Sequence, residues 1–218
     1  VVGAGPAGLE AARVCSSKGN EVIVYEASNS PGGQINLITR SQRRKDMVGI
    51  IDWRIGQCKK FDVKINYNNF ATKELILSNK PDIIIVATGG IPNTQNIEEG
   101  SNLAHSTWDI ISGNINTEDE IILYDDNGAF AGLQAAEIIA KKGSKLKIIT
   151  PERFFSPEVG GMNYVPYAKN FIENNVEIII DKRIKKIEKR DNRLLVFIGS
   201  DYSNKIDKLE TSQVVIEH

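Results

Sequence analysis

Val1-Val2-Gly3-Ala4-Gly5-Pro6-Ala7-Gly8-Leu9 opens the chain, and the reading of this stretch decides the fold. Two apolar β-branched residues run into Gly3-x-Gly5-x-x-Gly8, with a proline suited to the first helical turn. In a strand–turn–helix unit each glycine has a separate task. Gly3 permits the tight turn, Gly5 lets a diphosphate approach the backbone, and Gly8 lets the helix pack closely on the strand. The helix N-terminus presents unpaired N–H groups and a partial positive charge to the phosphates. Glycine-rich turns are common, so the spacing that follows carries weight. Apolar Val22 to Tyr25 reads as the next strand and ends on Glu26, 26 − 8 = 18 residues beyond Gly8. An acid at that point can accept hydrogen bonds from ribose hydroxyls.

Working outward, apolar runs alternate with helical patterns. Val63 to Tyr67, Ile83 to Ala87, Ile121 to Tyr124, Leu146 to Thr150 and Val176 to Ile180 read as buried strands. Pro6 to Lys18, Gln42 to Lys60, Leu133 to Lys142 and Tyr167 to Asn174 read as helices, and this alternation predicts a parallel sheet. From Arg183 the pattern changes to a hairpin, Ile184 to Arg190 and Leu194 to Ile198 about the polar turn Asp191-Asn192, with a further strand near Ile206 to Glu210. A second strand–turn–helix–strand unit opens near Glu120. The expected fold class is therefore α/β, two Rossmann-like (ββα) dinucleotide-binding domains with parallel sheets and β-meander crossovers. The expected boundaries are 1–113 and 114–211, with the polar stretch Ser112 to Thr117 as linker and the first domain resuming at about 212–218. A chain that starts almost on its glycine turn reads as the middle of a longer protein.

Composition narrows the function. The chain has 218 residues, 41% apolar and 25% charged, with 27 Lys+Arg against 28 Asp+Glu and a net charge of −1. That balance gives no electrostatic footprint for nucleic acid, and no apolar run approaches the ~18 residues of a membrane span. Two cysteines, Cys15 and Cys58, form no CxxC, so neither a disulphide framework, a metal site nor a flavin-linked dithiol is expected. A reducing, cytoplasmic setting is the default expectation. His105 and His218 have no partner pattern for a triad or a metal. Trp53 and Trp108 read as packing residues, and Arg40, Arg43, Arg44 and Lys45 as a solvated helix start.

Superposing the halves on Gly8 and Gly132 places Asn127 at the position of Gly3, Ala129 at that of Gly5 and Thr150 at that of Glu26. Two of three glycines and the ribose acid are missing from the second unit. Asn127 with Gly128 can still turn tightly, but Asp125 and Asp126 add negative charge beside a phosphate, ~1 kcal/mol each at 4 Å in water. Three readings stand open there: NADH in altered geometry, NADPH selected by Arg153, or a scaffold holding nothing or only ADP.

Gly3-x-Gly5-x-x-Gly8 and Glu26 join Gly32-Gly33-Gln34 and Ala87-Thr88-Gly89-Gly90 in a combination that resembles flavoproteins with paired FAD and NAD(P) domains. More narrowly, Gly32 to Asn36, Asp52-Trp53-Arg54, Ser106 to Asp109, Tyr124 to Gly128 and Gly160 to Tyr164 resemble the C-terminal module of the trimethylamine dehydrogenase and 2,4-dienoyl-CoA reductase family. The demethylases of N-methylated amines and betaines look similar. The resemblance implies that Gly3, Gly5 and Gly8 cradle the FAD pyrophosphate and Glu26 holds its ribose. It implies that Gly33 and Gln34 contact the phosphate or ribityl side, that the backbone near Ala71 meets the adenine, and that Ala87, Thr88 and Gly89 line the flavin side. Asn127, Gly128 and Gly132 would form the NAD(P)H turn. By the same resemblance the module would join an FMN barrel domain with a 4Fe-4S cluster on the same polypeptide, act on a small-molecule substrate and form a homo-oligomer. No catalytic side chain and no metal ligand is expected in this segment. The expected activity is hydride transfer between nicotinamide and FAD and electron transfer onward; the alternative is a non-catalytic structural ADP/FAD-binding module.

Overall fold

The computed structural model describes residues 1–218. They form two units, Val1–Ile91 and Pro92–His218.

In the first unit, α1 (Pro6–Ser17) has Pro6 at its start and buries Leu9 and Ala12. The next elements are β1 (Ile23–Tyr25), α2 (Ile35–Ile38), α3 (Gly49–Lys60), β2 (Lys64–Asn66) and α4 (Lys73–Ser78). β1 and β2 pair in parallel. Val2 bridges in parallel to Tyr25 on one side and to Val86 on the other. The order β2, β1, Val1-Val2, 85–87 thus reverses beside Val2, and the crevice of such a sheet opens at the carboxyl ends of its strands, here just above Gly3. Ala4, Leu9, Ala12, Val24, Ile35, Ile51 and Cys58 form the core.

The second unit begins with β3 (His105–Ser106) and α5 (Thr107–Ser112), whose first turn is closed by a Ser106/Asp109 capping box. It continues with β4 (Glu120–Asp125), α6 (Phe130–Lys141), β5 (Lys145–Ile149), α7 (Gly161–Glu173) and β6 (Glu177–Ile179). An antiparallel meander, β7 (Arg183–Arg190), β8 (Arg193–Gly199) and β9 (Ile206–Thr211), precedes the last strand, β10 (Gln213–Glu217). The parallel sheet runs β3-β10-β4-β5-β6. Alternation along β4 sends Ile122 and Tyr124 to one face, where they meet Ile184, Ile187, Val196 and Ile198 of the meander. Ile121 and Leu123 point to the opposite face, on which α6 packs. Burying a strand on both faces explains why β4 reads as a continuous apolar run.

The α/β class, the paired Rossmann-like units and the meander agree with the sequence reading, but the expected boundaries need correction. The segment 105–112 and the strand β10, expected in the first domain, belong to the sheet of the second, where Val214 and Val215 pair with Ile122 and Leu123 of β4. The supposed linker lies inside the second unit because the Gln213 amide donates to the Asn116 carbonyl at 3.1 Å and accepts from the Glu118 N–H at 3.2 Å. Ile83 to Ala87 is not a buried strand: Ile83 is 78% and Val86 70% exposed, and only the backbone bonds to Val2 hold the run in line. The helix expected over 42–60 begins as a 3-10 turn and becomes α-helical from Gly49. Gly160 to Tyr164, one of the stretches that carry the resemblance, forms the start of α7, which also accommodates Pro166.

Candidate functional site

At the first turn the glycines divide into those the protein needs for itself and one it does not. Gly3 has φ +99°, and a Cβ there would run into the Ala87 carbonyl, 3.0 Å from its carbon. A Cβ on Gly8 would collide with the Gly3 carbonyl oxygen, so the helix can approach the turn only with hydrogen at that position. Gly5 differs. It is the N-cap of α1, at φ −71° and ψ 178°, accessible to any residue, and a Cβ there would find no atom within 4 Å. No side chain caps the helix and no acidic residue stands in its first turn. The Leu9 N–H closes the first helical bond to the Gly5 carbonyl at 2.9 Å, so the earlier amides of the helix lack an intrahelical acceptor.

Glu26 stands at the end of β1, 9% exposed, and its carboxylate pins the turn. Oε2 accepts from the Ala4 N–H at 2.7 Å, and Oε1 accepts from the Ser28 N–H at 2.8 Å and the Ser28 hydroxyl at 2.7 Å. Each carboxylate oxygen offers two acceptor positions, so Oε2 retains one for a sugar hydroxyl. Burial pushes the Glu26 carboxyl up, but the hydrogen bonds from Ser28 and Ala4 outweigh it and hold the group below its ordinary range. Ser28 escaped the sequence reading; an acid followed two residues later by a short hydroxyl side chain is the signal that could have found it.

Two further segments close around this turn. The Gly32 N–H donates to the Ala4 carbonyl at 2.9 Å, and Gly33, at φ +52°, lies so close that a Cβ would sit 3.3 Å from the Gly5 Cα. The Gln34 amide donates to the Gly90 carbonyl at 3.4 Å. Ala87 bonds through its N–H to the Val2 carbonyl at 2.8 Å, while Thr88 and Gly89 are exposed beside it. The structure therefore brings Gly3, Gly5, Gly8, Glu26, Gly33, Gln34, Ala87, Thr88 and Gly89 together. Ala71 lies just past Asn69, whose N–H donates to the Glu26 carbonyl at 2.9 Å.

The second unit repeats the scaffold with different occupants. Ala129 is the N-cap of α6 where Gly5 caps α1, and the positive φ falls on Gly128 (+70°) instead of Asn127. Thr150 stands where Glu26 does: its N–H donates to Ile179 at the neighbouring strand, as that of Glu26 does to Asn66, and its hydroxyl accepts from the amide two residues on, Glu152. The pinning carboxylate comes instead from Asp125, fully buried, whose Oδ1 accepts from the Asn127 and Gly128 N–H groups at 3.1 and 2.8 Å. Its Oδ2 is buried without a partner, close enough to α6 that a Cβ on Gly132 would collide with it. Burial, above all, raises the Asp125 carboxyl to about 7, with the nearby charges of Glu217 and Asp126 adding to it against the two N–H bonds. Glu217, at the end of β10, accepts from the Thr107 hydroxyl and from the Asn127 amide at 3.0 Å. Asp126 holds His218 at 2.8 Å. Arg153 is exposed.

A glycine turn with an acid at the neighbouring strand end, followed by a second unit on the same plan, defines a pair of Rossmann-like nucleotide-binding folds. The chain belongs to the pyridine nucleotide-disulphide oxidoreductase family, which matches residues 1–217. It is 45% identical over 218 residues to a probable N-methylproline demethylase of Rhizobium meliloti (strain 1021), with all of this chain aligned to 32% of that protein. It is 31% identical over 225 residues to the N,N-dimethylglycine/sarcosine dehydrogenase of Chromohalobacter salexigens, again all of this chain to 32% of the relative. Among solved structures, a 2-naphthoyl-CoA reductase in complex with 2-naphthoyl-CoA superposes with a TM-score of 0.85 at 27% identity, covering 100% of this chain and 32% of that one. Histamine dehydrogenase from Rhizobium sp. 4-9, at a TM-score of 0.84 and 22% identity over 99% of this chain and 34% of that one, shares the fold. The chain thus spans about a third of the length of the relatives it matches. Those relatives are oxidoreductases, and they bear out the kinship with the trimethylamine dehydrogenase group. The disulphide chemistry in the family's description has no dithiol here: Cys15 and Cys58 are both free thiols. No helix is long and apolar enough to cross a membrane.

Proposed function

We propose that this chain is the nucleotide-binding, electron-transfer module of a larger flavin oxidoreductase, and that its first unit holds FAD through the ADP half. The single observation that carries the reading is the unfilled space over Gly5, where the protein has no use for a missing side chain but a diphosphate does. The FAD would supply reversible hydride and electron chemistry. This chain's residues do the holding. The Gly3–Gly8 turn and the start of α1 direct N–H groups at the diphosphate, Glu26 accepts from the ribose, and Ser28 keeps that carboxylate ionised and aimed. Gly33 and Gln34 face the diphosphate and ribityl side, the backbone near Ala71 faces the adenine, and Ala87 to Gly89 border the flavin side. An FMN barrel domain with a 4Fe-4S cluster on the same polypeptide, a small-molecule substrate and a homo-oligomeric assembly complete the proposal, supported by the relatives' extra length and their demethylase and dehydrogenase names.

A second reading, in which the first unit holds FAD or ADP as a fixed structural element, is favoured by one observation: carboxylates occupy the turn through which NAD(P)H would deliver hydride. Isolation of the whole protein separates the two. FAD released on denaturation beside the barrel's FMN, from a protein in which the FAD as well as the FMN is reduced on adding an amine substrate, supports electron transfer through this module. Release of ADP in place of FAD, or FAD that stays oxidised while the FMN is reduced, supports the structural reading. Absence of any bound or bindable adenine nucleotide overturns both.

A further inference from the structure

We infer that the second unit of this chain excludes pyridine nucleotides, because the carboxylate that pins its turn has moved from the ribose position to a place under the turn itself. The inference rests on the second unit alone and holds whatever the first unit binds.

The two turns can be compared atom by atom. In the first, the amide of Ala4 is held by Glu26, a carboxylate that comes from the neighbouring strand and also reaches the sugar position. In the second, the equivalent amide of Gly128 is held by Asp125, at the end of the unit's own central strand. Both arrangements satisfy a buried N–H that would otherwise cost stability. Only the first leaves an acceptor where a ribose lies, since Thr150 replaces the acid there and is fully buried.

The phosphate position is changed as well. A diphosphate at such a turn lies against its N–H groups. The Asn127 and Gly128 amides are committed here to Asp125 Oδ1 as their counterparts Gly3 and Ala4 are committed to the Tyr25 carbonyl and Glu26; the difference is that a buried carboxylate now stands directly under the turn, beside the diphosphate position. Glu217 adds a second carboxylate, tied to the Asn127 side chain, and Asp126 a third at the carboxyl end of β4. This is the point where the strand order of the sheet reverses, between β10 and β4, and hence where a nucleotide of this fold lies. The loop after β5 covers the turn too. In the first unit that loop presents Gly32 to the Ala4 carbonyl; in the second the Glu158 N–H donates to the Gly128 carbonyl at 3.1 Å, and Pro157 lies so near that a Cβ on Gly128 would sit 2.7 Å from its Cδ. Glu158 and the methyl of Ala129 stand where the first unit has Gly32 and Gly5, while Pro157 matches Pro31.

The test uses the whole protein with its own cofactors, at pH 8, with NADH, NADPH and ADP as probes. Hydrogen–deuterium exchange is read over the peptide 125–132. Wild-type protein is expected to show no saturable protection there with any probe up to millimolar concentration. The variant Asp125→Ala/Glu217→Gln, which removes two carboxylates from beside the turn, is expected to bind ADP at least about tenfold more tightly at that peptide. Saturable protection of 125–132 by NADH or NADPH in the wild type overturns the inference. So does a folded variant with the affinity of the wild type, because the carboxylates would then not be what excludes the nucleotide. If the alanine variant does not fold, Asp125→Asn/Glu217→Gln keeps the turn's hydrogen bonds and removes the same charges, and an unchanged ADP affinity there has the same meaning.

Discussion

Replacing Asp125 by Asn isolates the cost of a buried carboxyl from the benefit of its hydrogen bonds. Asn keeps an oxygen to accept from the Asn127 and Gly128 amides, and puts an uncharged NH2 where Oδ2 lies unpartnered. The Asp125 carboxyl moves from 3.8 to about 7, chiefly through burial. At 1.36 kcal/mol per unit the difference of 7 − 3.8 = 3.2 units is worth about 4 kcal/mol, an upper bound because a turn relaxes around a charge. The sign follows from proton binding. Between about pH 4 and 7 the folded chain holds this proton more tightly than the unfolded one, so stability falls as pH rises and levels off above 7. The groups facing Asp125 are Glu217 and Asp126, both acidic, and Arg183 reaches only Asp126, at 3.9 Å. Urea denaturation from pH 4 to 8, followed by Trp108 fluorescence in a Trp53→Phe/His218→Gln background, reports on the second unit without the first tryptophan or the ring against Asp126. Aspartate at 125 is expected to lose several kcal/mol of stability across the range, while the Asn variant stays nearly level and becomes the more stable of the two above pH 7. Parallel curves for the two would refute the reasoning, since the carboxyl would then carry no burial cost.

Three further outcomes bear on the first unit. Gly5→Ala should leave urea stability within about 0.5 kcal/mol, because its backbone angles suit any residue and no atom lies within 4 Å, yet weaken adenine-nucleotide binding at least tenfold by titration. Gly8→Ala should cost about 2 kcal/mol or more of stability with or without nucleotide, since the new methyl meets the Gly3 carbonyl. Glu26→Gln should cost about 1.5–3 kcal/mol at neutral pH. It should also remove part of the acid limb of the stability curve, because the depressed Glu26 carboxyl gives stability above its unfolded pKa that is lost as pH falls through the folded one.

The elements whose residues carry their own punctuation were legible. α1 runs between Pro6 and Gly19, β4 is apolar on both faces, and β7 and β8 flank a polar turn. The acid at Glu26 and the loss of its counterpart at Thr150 followed from spacing alone. What escaped was decided by pairing across long stretches of chain. β10 resembles any apolar strand, and only its register against β4 assigns it to the second unit. Ile83 to Ala87 has a core composition but lies open to solvent, which local pattern cannot reveal. Asp125 was visible as a charge near a phosphate; that it is buried and bonded to the turn's own amides depends on the sheet, α6 and β10 closing over it.

That last difference separates two requirements that a single glycine motif conflates. The fold needs its first turn pinned, because the N–H at position 4 or 128 is buried on folding, and a carboxylate from either of two strand ends meets that need. Nucleotide binding needs more: the carboxylate must come from the far strand, and the position before the helix must leave its space open. The first unit meets both conditions, through Glu26 and Gly5. The second meets only the structural need, with Thr150 at the far strand end, Ala129 before the helix and the Asp125 carboxylate beneath the turn. A unit of this kind can therefore keep strand, turn and helix unchanged while its nucleotide site closes, and Asp125 is the residue on which that closure turns.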